Sequence, residues 1–346
     1  MAVKIIIRTP NHLGDCIMAM PMVNETREAY PGSTVTVLTP QHLADLFIGN
    51  PGIDRVLTIP TEHVHGVISV FKVKEIIAPG EFDLGYILPP SFGAASSFKL
   101  GGVKERIGYI ADGRRLLLTK PLPLPTPLNS EHRSKVYFDL LRRGAGVSID
   151  YVKPKIFLSE NDITGAMKLL GGFGIAESDK YAVLAFRAVA ESRRWGTENY
   201  TELARRIISQ CGIKVVLVGT EENRKSGDDI VGAAKTTEGA IVNLAGKTSL
   251  RELGTICSRA VVFVGNDSGP AHLAAAVGAP IVVLSGADDP KETSPMAGKK
   301  RMIYREQLEC ISCVKNKCPL KGGDFMRCMK EITVDMVMSE LKTLVQ

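Results

Sequence analysis

Short apolar runs rich in β-branched residues alternate with longer segments of helical spacing along the whole chain. The runs 4–8, 34–39, 181–186 and 214–219 have the composition of buried parallel strands, and the segment 199–211 has the apolar spacing of an amphipathic helix. Strands and helices that alternate in this way predict an α/β fold with doubly wound parallel sheets.

Two such sheets fit the chain length of 346 residues, because one domain usually takes about 150 residues. The stretch Gly171-Gly172-Phe173-Gly174 has the composition of a linker. We therefore expect two Rossmann-like domains, at 1–172 and 178–330, that face each other across a cleft. The amphipathic segment 331–346 predicts a helix that packs back on the first domain.

The composition is that of an ordinary globular protein, with 45% hydrophobic and 23% charged residues and a net charge of +6. This mild positive charge favours anionic partners, but it is too small, and aromatic residues are too few, to predict nucleic-acid binding. No apolar segment reaches the ~18 residues of a membrane span, and the N-terminal apolar run is too short for a signal sequence. We expect a cytoplasmic protein whose seven cysteines are reduced.

The stretch 260–286 contains a strand, a tight polar turn, a short helix and a second strand, which is the pattern of a βαβ unit. Gly269 lets the backbone approach a ligand closely, and Ser268 or Asp267 is suited to cap the helix, whose N–H groups would then face an anion. His272 lies on the first turn, within reach of the same ligand. The alternative is a capped helix in a packed βαβ unit that binds nothing.

Asp15 follows the first predicted strand, at a βα turn where ligands bind in such sheets. Its charged form is favoured at a helix N-terminus, so it is suited to act as a general base towards a sugar hydroxyl, or it only caps the helix. In the second half, Arg193 and Arg194 lie in the loop after a strand and are suited to neutralise a pyrophosphate. The alternative there is a solvated turn anchored by Trp195.

Glu221 and Glu222 follow a strand that ends in glycine, where an acidic side chain commonly bonds a ribose in nucleotide-binding folds. A glutamate at the start of a helix is also favourable without a ligand. The chain has neither a GxGxxG motif at the first strand nor a Walker lysine loop, which argues against a dehydrogenase or a kinase. It has no G-x-S-x-G elbow, which argues against a hydrolase.

Four cysteines lie close together near the C-terminus, at Cys310, Cys313, Cys318 and Cys328. In a reducing compartment such a cluster is a candidate for a structural zinc ion or iron–sulfur cluster. Its spacing lacks the paired CxxC form, so a reduced loop packed on the second domain is the alternative. We expect no catalytic metal site.

Three of these motifs together resemble a known family. Leu13-Gly14-Asp15, Arg194-Trp195 and Asn266-Asp267-Ser268-Gly269 with His272 are similar to motifs of the ADP-heptose lipopolysaccharide heptosyltransferases of glycosyltransferase family 9, most of all the heptosyltransferase II group. The resemblance covers nearly the whole chain. It implies a GT-B fold and an inverting transfer of heptose from ADP-heptose to the inner core of lipopolysaccharide.

The resemblance also implies roles for individual residues. Asp15 would be the base, and Arg194 would stabilise the leaving pyrophosphate. No cofactor would be required and Mg²⁺ would at most stimulate transfer, because arginine, histidine and a helix N-terminus supply positive charge. The donor-binding residues would be Glu222, Thr248, Asp267, Ser268, Gly269 and His272, and the acceptor-binding residues Asn11, His12 and Arg133.

Basic residues recur in the first domain, where they would face an anionic acceptor or the lipid headgroups of the inner membrane. We therefore expect a peripheral protein on the inner face of that membrane. The set is Lys99, Lys104, Arg106, Arg114, Arg115, Lys120, Arg133 and Lys135.

Three alternatives to heptose transfer stay open at this point. One is a GT-B glycosyltransferase with another nucleotide sugar or acceptor. Another is a nucleotide-binding relative without catalytic activity. The third is a sugar-nucleotide epimerase, which would turn over without an acceptor.

Overall fold

The computed structural model describes residues 2–64, 66–125 and 131–345. The chain forms two compact units, Met1–Phe157 and Leu158–Gln346, each with its own parallel sheet. No helix within the described ranges is both long enough and apolar enough to cross a bilayer.

The first unit is a parallel sheet with helices in its crossover connections. All neighbouring strands are parallel, in the order 3-2-1-4-5-6, which is that of a doubly wound sheet. The strands are β1 (Lys4–Arg8), β2 (Thr34–Pro40), β3 (Arg55–Ile59), β4 (Leu84–Ile87), β5 (Glu105–Tyr109) and β6 (Lys120–Leu122). The helices are α1 (Leu13–Met18), α2 (Met20–Ala29), α3 (Val67–Ile77), α4 (Phe92–Leu100) and α5 (Arg133–Ala145).

Helices pack closely against this sheet, which explains why its central strands contain buried apolar residues and a glycine. Ile5–Ile7 in β1 are completely buried, as expected for a strand covered on both faces. Gly85 in β4 leaves room for α4, because a Cβ atom there would lie 2.7 Å from the ring of Phe98. On α5, a Cβ atom at Gly144 would lie 2.5 Å from the hydroxyl of Tyr86.

The second unit repeats this architecture. Its parallel sheet has the strand order 12-11-10-7-8-9. The strands are β7 (Tyr181–Ala185), β8 (Lys214–Val218), β9 (Ile241–Asn243), β10 (Val262–Asn266), β11 (Ile281–Ser285) and β12 (Lys300–Tyr304). The helices are α6 (Glu160–Gly172), α7 (Thr197–Cys211), α8 (Arg224–Ala234), α9 (Leu250–Arg259), α10 (Gly269–Ala276), α11 (Pro290–Thr293), α12 (Arg327–Lys330) and α13 (Val334–Val345).

The boundary between the units lies before α6, not after it as the glycine-rich stretch suggested. Helix α6 packs against α9 of the second unit, and Asp162 on α6 forms a largely buried ion pair with Arg251 on α9. The glycines at 171 and 172 are the last residues of α6, so they end a helix and do not link two domains.

The final helix belongs to the second unit, whereas the sequence analysis placed it against the first. Helix α13 packs on α7 and on the strands β10–β12. Its buried residues Val337, Met338 and Leu341 join the hydrophobic core of that unit. Asp335 also forms an ion pair with Arg206 on α7. The amphipathic pattern predicts the helix but not the surface that its apolar face covers.

Candidate active site

Asp15 lies at the edge of the first sheet where all its parallel strands have their carboxyl ends. It is in the first turn of α1, the helix that the loop after β1 leads into, and its side chain is 24% exposed. The Nη1 atom of Arg133, the first residue of α5, lies 3.3 Å from Asp15 Oδ1 and donates a hydrogen bond to it. The structure therefore brings together two of the residues that the sequence analysis assigned to the base and the acceptor.

The side chain of Arg8 shapes the loop in front of Asp15. Arg8 ends β1, is buried, and donates hydrogen bonds to the carbonyl of Thr9 and to Oδ1 of Asn11. Burial lowers the pKa of Arg8 to about 10. Asn11 thus has a structural partner, whereas His12 is exposed at the N-cap of α1. In the sequence, Arg8 stands out only as a charged residue that interrupts an apolar run.

Tyr137 is a neighbour of Asp15 that sequence reasoning missed. It lies one turn after Arg133 on α5. Burial raises its pKa well above the ordinary value, and the charge of Asp15 raises it further. Its spacing of four residues from Arg133 is the signal that could have identified it.

The turn after β10 has the predicted strand–turn–helix form, with Ser268 at the N-cap of α10. The Ser268 hydroxyl donates to the carbonyl of Asn266 at 3.2 Å, and no side chain in the described residues caps the helix. The amides of Ala271 and His272 both donate to the carbonyl of Ser268. Anion binding at the start of this helix stays a prediction.

Asp267 is a buried carboxyl group among other polar and charged side chains. Its Oδ2 atom accepts a hydrogen bond from Ser285 at 3.3 Å, and its Oδ1 atom lies 3.8 Å from Nε2 of His272. Burial, and next the charge of Asp288, raise the pKa of Asp267 to about 7, although Arg193 partly opposes the shift. Asp288 forms an ion pair of 2.6 Å with Arg193.

Asn266 precedes this turn with a completely buried side chain. Neither its Oδ1 nor its Nδ2 atom has a hydrogen-bond partner among the described residues. Burial without a partner is costly for an amide, so the Asn266 side chain lowers the stability of the strand end before the turn. Asn266 is part of the sequence motif, but no pattern in the sequence assigns it a role.

The two arginines of the loop after β7 have different partners. Arg194 donates to the carbonyls of Ala188 and Val189, at 2.9 and 3.1 Å, and so holds its own loop in place. Arg193 supplies the positive charge beside Asp288 and Asp267. The two arginines that the sequence offered for a pyrophosphate are thus distinguished by their partners, because Arg193 pairs with Asp288 while Arg194 bonds its own loop.

The predicted ribose and adenine residues lie on neighbouring loops at the same edge of the second sheet. Glu221 and Glu222 follow β8 and are exposed, and Glu221 pairs with Arg224 at 2.6 Å. The loop that contains Thr248 follows β9 and touches Glu221, because a Cβ atom at Gly246 would lie 2.1 Å from Glu221 Oε2. The sequence left Glu221 and Glu222 open as the ribose-binding residue, and in the structure Glu221 contacts the loop that contains Thr248.

Most of the chain matches one known protein family. Residues 70–323 match glycosyltransferase family 9 (heptosyltransferase). The chain belongs to glycosyltransferase family 9.

Curated relatives and solved structures of this family agree along nearly the whole chain. Lipopolysaccharide heptosyltransferase 2 of Escherichia coli K12 is 27% identical over 312 residues, which are 87% of each chain. Lipooligosaccharide heptosyltransferase 2 of Haemophilus influenzae is 24% identical over 99% of each chain. The solved structure of E. coli ADP-heptose LPS heptosyltransferase II aligns with a TM-score of 0.82 and 25% identity, covering 99% of this chain and 98% of the other.

These matches confirm the resemblance to the heptosyltransferases and the expected fold class. The protein is a glycosyltransferase, with two Rossmann-like α/β units of the kind found in its GT-B structural neighbours. A family 9 structure from Veillonella parvula, with 21% identity and a TM-score of 0.86, agrees on the fold.

The four clustered cysteines of this family 9 chain line one cavity. All four are free thiols, and the amide of Met326 donates to Cys318 Sγ at 3.3 Å. Burial, and then the nearby thiols of Cys310, Cys313 and Cys318, raise the pKa of Cys328 to about 11. No group of three or more His, Cys, Asp or Glu side chains in the described residues is placed to hold a metal ion as it stands.

A structural zinc or iron centre at these cysteines stays a prediction, and elemental analysis of the purified protein checks it. The prediction requires about one equivalent of zinc, or iron in the amount of a cluster, which is lost in Cys310→Ser. Cys211→Ser is the matched control, because Cys211 is a free thiol at the end of α7. A protein without either metal contradicts the prediction.

Most of the basic residues that were expected to face an anionic surface have other partners. Three of them donate to backbone carbonyls. Lys104 pairs with Asp83 and Arg133 with Asp15. The other three, Lys99, Arg115 and Lys135, are exposed. The three backbone contacts are Arg106 to Leu117, Arg114 to Tyr109 and Lys120 to Gly144. For the exposed Lys99, Arg115 and Lys135, an anionic surface as partner stays a prediction.

Proposed function

We propose that this glycosyltransferase transfers heptose from ADP-heptose to a heptose of the lipopolysaccharide inner core, with inversion at the anomeric carbon. The observation that carries the proposal is the partly exposed Asp15, held by Arg133 at the carboxyl edge of the first sheet. The identity of 27% with the E. coli lipopolysaccharide heptosyltransferase 2 over 87% of both chains supports the choice of substrates.

The proposal makes Asp15 the general base. As the acceptor hydroxyl attacks the anomeric carbon, its proton passes to the Asp15 carboxylate, and the bond from that carbon to the diphosphate breaks. A single displacement of this kind inverts the anomeric configuration. Arg133 holds the Asp15 carboxylate through Oδ1, which leaves Oδ2 for the acceptor.

The proposal assigns the donor to the second unit. Arg194 would face the diphosphate as charge develops on it, and Arg193 would set the position of the loop through its ion pair with Asp288. Glu222 or Glu221 would bind the ribose, and Thr248 would lie near the adenine. Asp267, Ser268, Gly269 and His272 would line the phosphate pocket. With these groups in place, transfer would not require Mg²⁺.

The test is transfer from ADP-heptose to a truncated core acceptor that already bears one heptose. We expect wild-type protein to transfer heptose to this acceptor, to ignore an acceptor without heptose, and to remain active with EDTA when a lipid-free acceptor is used. ADP should compete with the donor far better than UDP. Preference for a UDP-sugar indicates another glycosyltransferase, and donor turnover without an acceptor indicates an epimerase. Donor binding with no transfer to either acceptor indicates a non-catalytic relative.

We further propose that the protein works as a peripheral protein at the inner face of the inner membrane, where a lipid-anchored acceptor would be accessible. The support for this location is the proposed acceptor itself and the exposed Arg115, Lys99 and Lys135 of the first unit.

A further inference from the structure

A loop between β12 and α12 contains two of the clustered cysteines and contacts two loops at the carboxyl edge of the second sheet. It comprises residues 310–316, and we call it the thiol loop. Its partners are the loops after β7 and after β11. Because β10 lies between those two strands in the sheet, their loops flank the turn that contains Asp267. The thiol loop therefore joins both sides of that turn.

On the side of β7, the contact of the thiol loop is the buried Ser192. The amide of Ser192 donates to the carbonyl of Asn316 at 3.2 Å, and its hydroxyl donates to the carbonyl of Lys315. The next residue is Arg193, whose Nη2 atom lies 2.6 Å from Oδ1 of Asp288. Ser192 thus fixes the backbone from which the Arg193 side chain extends.

On the side of β11, the thiol loop holds three consecutive carbonyl groups. The amide of Ser312 donates to the carbonyl of Gly286 at 3.0 Å, and its hydroxyl donates to that of Asp288 at 3.2 Å. The amide of Val314 donates to the carbonyl of Ala287 at 2.8 Å. The thiol loop therefore fixes the backbone of Asp288 as well as that of the residue before Arg193.

The thiol loop has a backbone conformation that its own residues disfavour. Ser312 and Val314 have φ values of 56° and 54°, in the left-handed region that a β-branched residue such as valine rarely adopts. Such conformations persist only where surrounding contacts hold them, and they occur often at ligand-binding sites. Here the amides of the same two residues make the hydrogen bonds to the loop after β11. The contacts to its neighbours therefore determine the shape of the thiol loop.

We propose that the thiol loop positions the loop of Arg193 and Arg194 to bind the donor diphosphate, with Ser192 and Ser312 as positioning residues. The inference rests on the proposed function, which assigns the diphosphate to this edge of the second unit. Arg193 and Asp288 extend from separate loops, so the geometry of their ion pair depends on an element that holds both loops. Loss of a serine hydroxyl leaves both charges in place but loosens one loop, so donor binding weakens.

The test is titration of the full chain with ADP, for wild type, Ser192→Ala, Ser312→Ala and the double variant. A hydrogen bond of this kind changes an equilibrium by about twofold to tenfold. We expect ADP affinity to fall about threefold in each single variant and at least about tenfold in the double variant. Transfer at saturating donor should stay within about threefold of wild type, because the contacts act on binding.

Two further variants serve as controls. Ser192→Thr keeps the hydroxyl, and its added methyl group can enter the cavity that Ser192 lines with the cysteines, so it should bind ADP like wild type. Ser258→Ala removes a hydroxyl that donates to the carbonyl of Thr255 at 2.8 Å near the end of α9. Because α9 leads into the amino end of β10, this site lies at the opposite edge of the sheet, and ADP affinity should change by less than about twofold.

The outcomes separate the positioning role from the proposed function. Equal ADP affinity in wild type and the double variant overturns the positioning role, as does a loss of the same size in Ser192→Thr or Ser258→Ala. If wild type transfers heptose while the double variant binds ADP equally well, the function stands and this inference fails. If wild type binds UDP in place of ADP and transfers no heptose, the proposed donor fails. A tenfold loss of UDP affinity in the double variant would then still support the positioning role.

Discussion

Asp15→Asn is expected to lower the rate of heptose transfer by at least ~100-fold, with ADP-heptose binding unchanged. The amide has the shape of the carboxylate and can still accept the hydrogen bond from Arg133, so the start of α1 should keep its structure. It cannot take up the proton of the acceptor hydroxyl. The measurement is single-turnover transfer at saturating donor, with donor affinity determined separately by titration.

The matched control for this prediction is Asp112→Asn, an exposed carboxylate in the loop after β5, at the same edge of the sheet. Its backbone has a φ of 44°, a region that asparagine adopts readily, so the substitution should be harmless. The control should transfer at nearly the wild-type rate. Equal rates for Asp15→Asn and wild type would mean that Asp15 only belongs to the helix start and that another group is the base.

The periodic part of the fold could be predicted from the sequence. Buried parallel strands such as Ile5–Ile7 of β1 and 214–218 of β8 are continuous apolar runs, and helices between them follow as crossovers. The assignment of helices to units could not be predicted in the same way. For α6 and α13 it depends on partners far along the chain, such as Arg251 for Asp162.

In the candidate site, too, local patterns predict some residues, whereas contacts between distant parts of the chain determine the others. Asp267 directly follows β10, and Asp15 lies in the connection after β1, so the topology alone places both at a functional edge. Their partners come from parts of the chain that no local pattern connects to them: Arg133, at the start of α5, lies 118 residues from Asp15. Arg193 and Asp288 meet near Asp267 only through the fold, so the doubled arginine in the sequence could not show which of the two lies beside these carboxylates.

The buried carboxyl group of Asp267 leads to the second large expected effect, on stability. Its ordinary pKa is 3.8, and in the folded protein burial and the charge of Asp288 raise the pKa to about 7. Between these values the folded state binds more protons than the unfolded state, so stability falls as the pH rises from about 4 to 7 and then levels off. The raised pKa corresponds to a cost of about 4 kcal/mol at pH 8. Asp267→Asn removes this titration.

We therefore expect Asp267→Asn to resemble wild type at about pH 4 and to be more stable by up to about 4 kcal/mol at about pH 8, as measured by urea unfolding across that range. Asp162→Asn is the control of opposite sign, because Arg251 holds the pKa of Asp162 well below its usual range. That variant should lose stability at high pH, and its difference from wild type should shrink as the pH falls towards 3. Parallel curves for wild type and Asp267→Asn would show that this carboxyl group is solvated or compensated in the native protein. Ionisation of Asp267 would then cost no stability at the edge of the second sheet that is proposed to bind the donor.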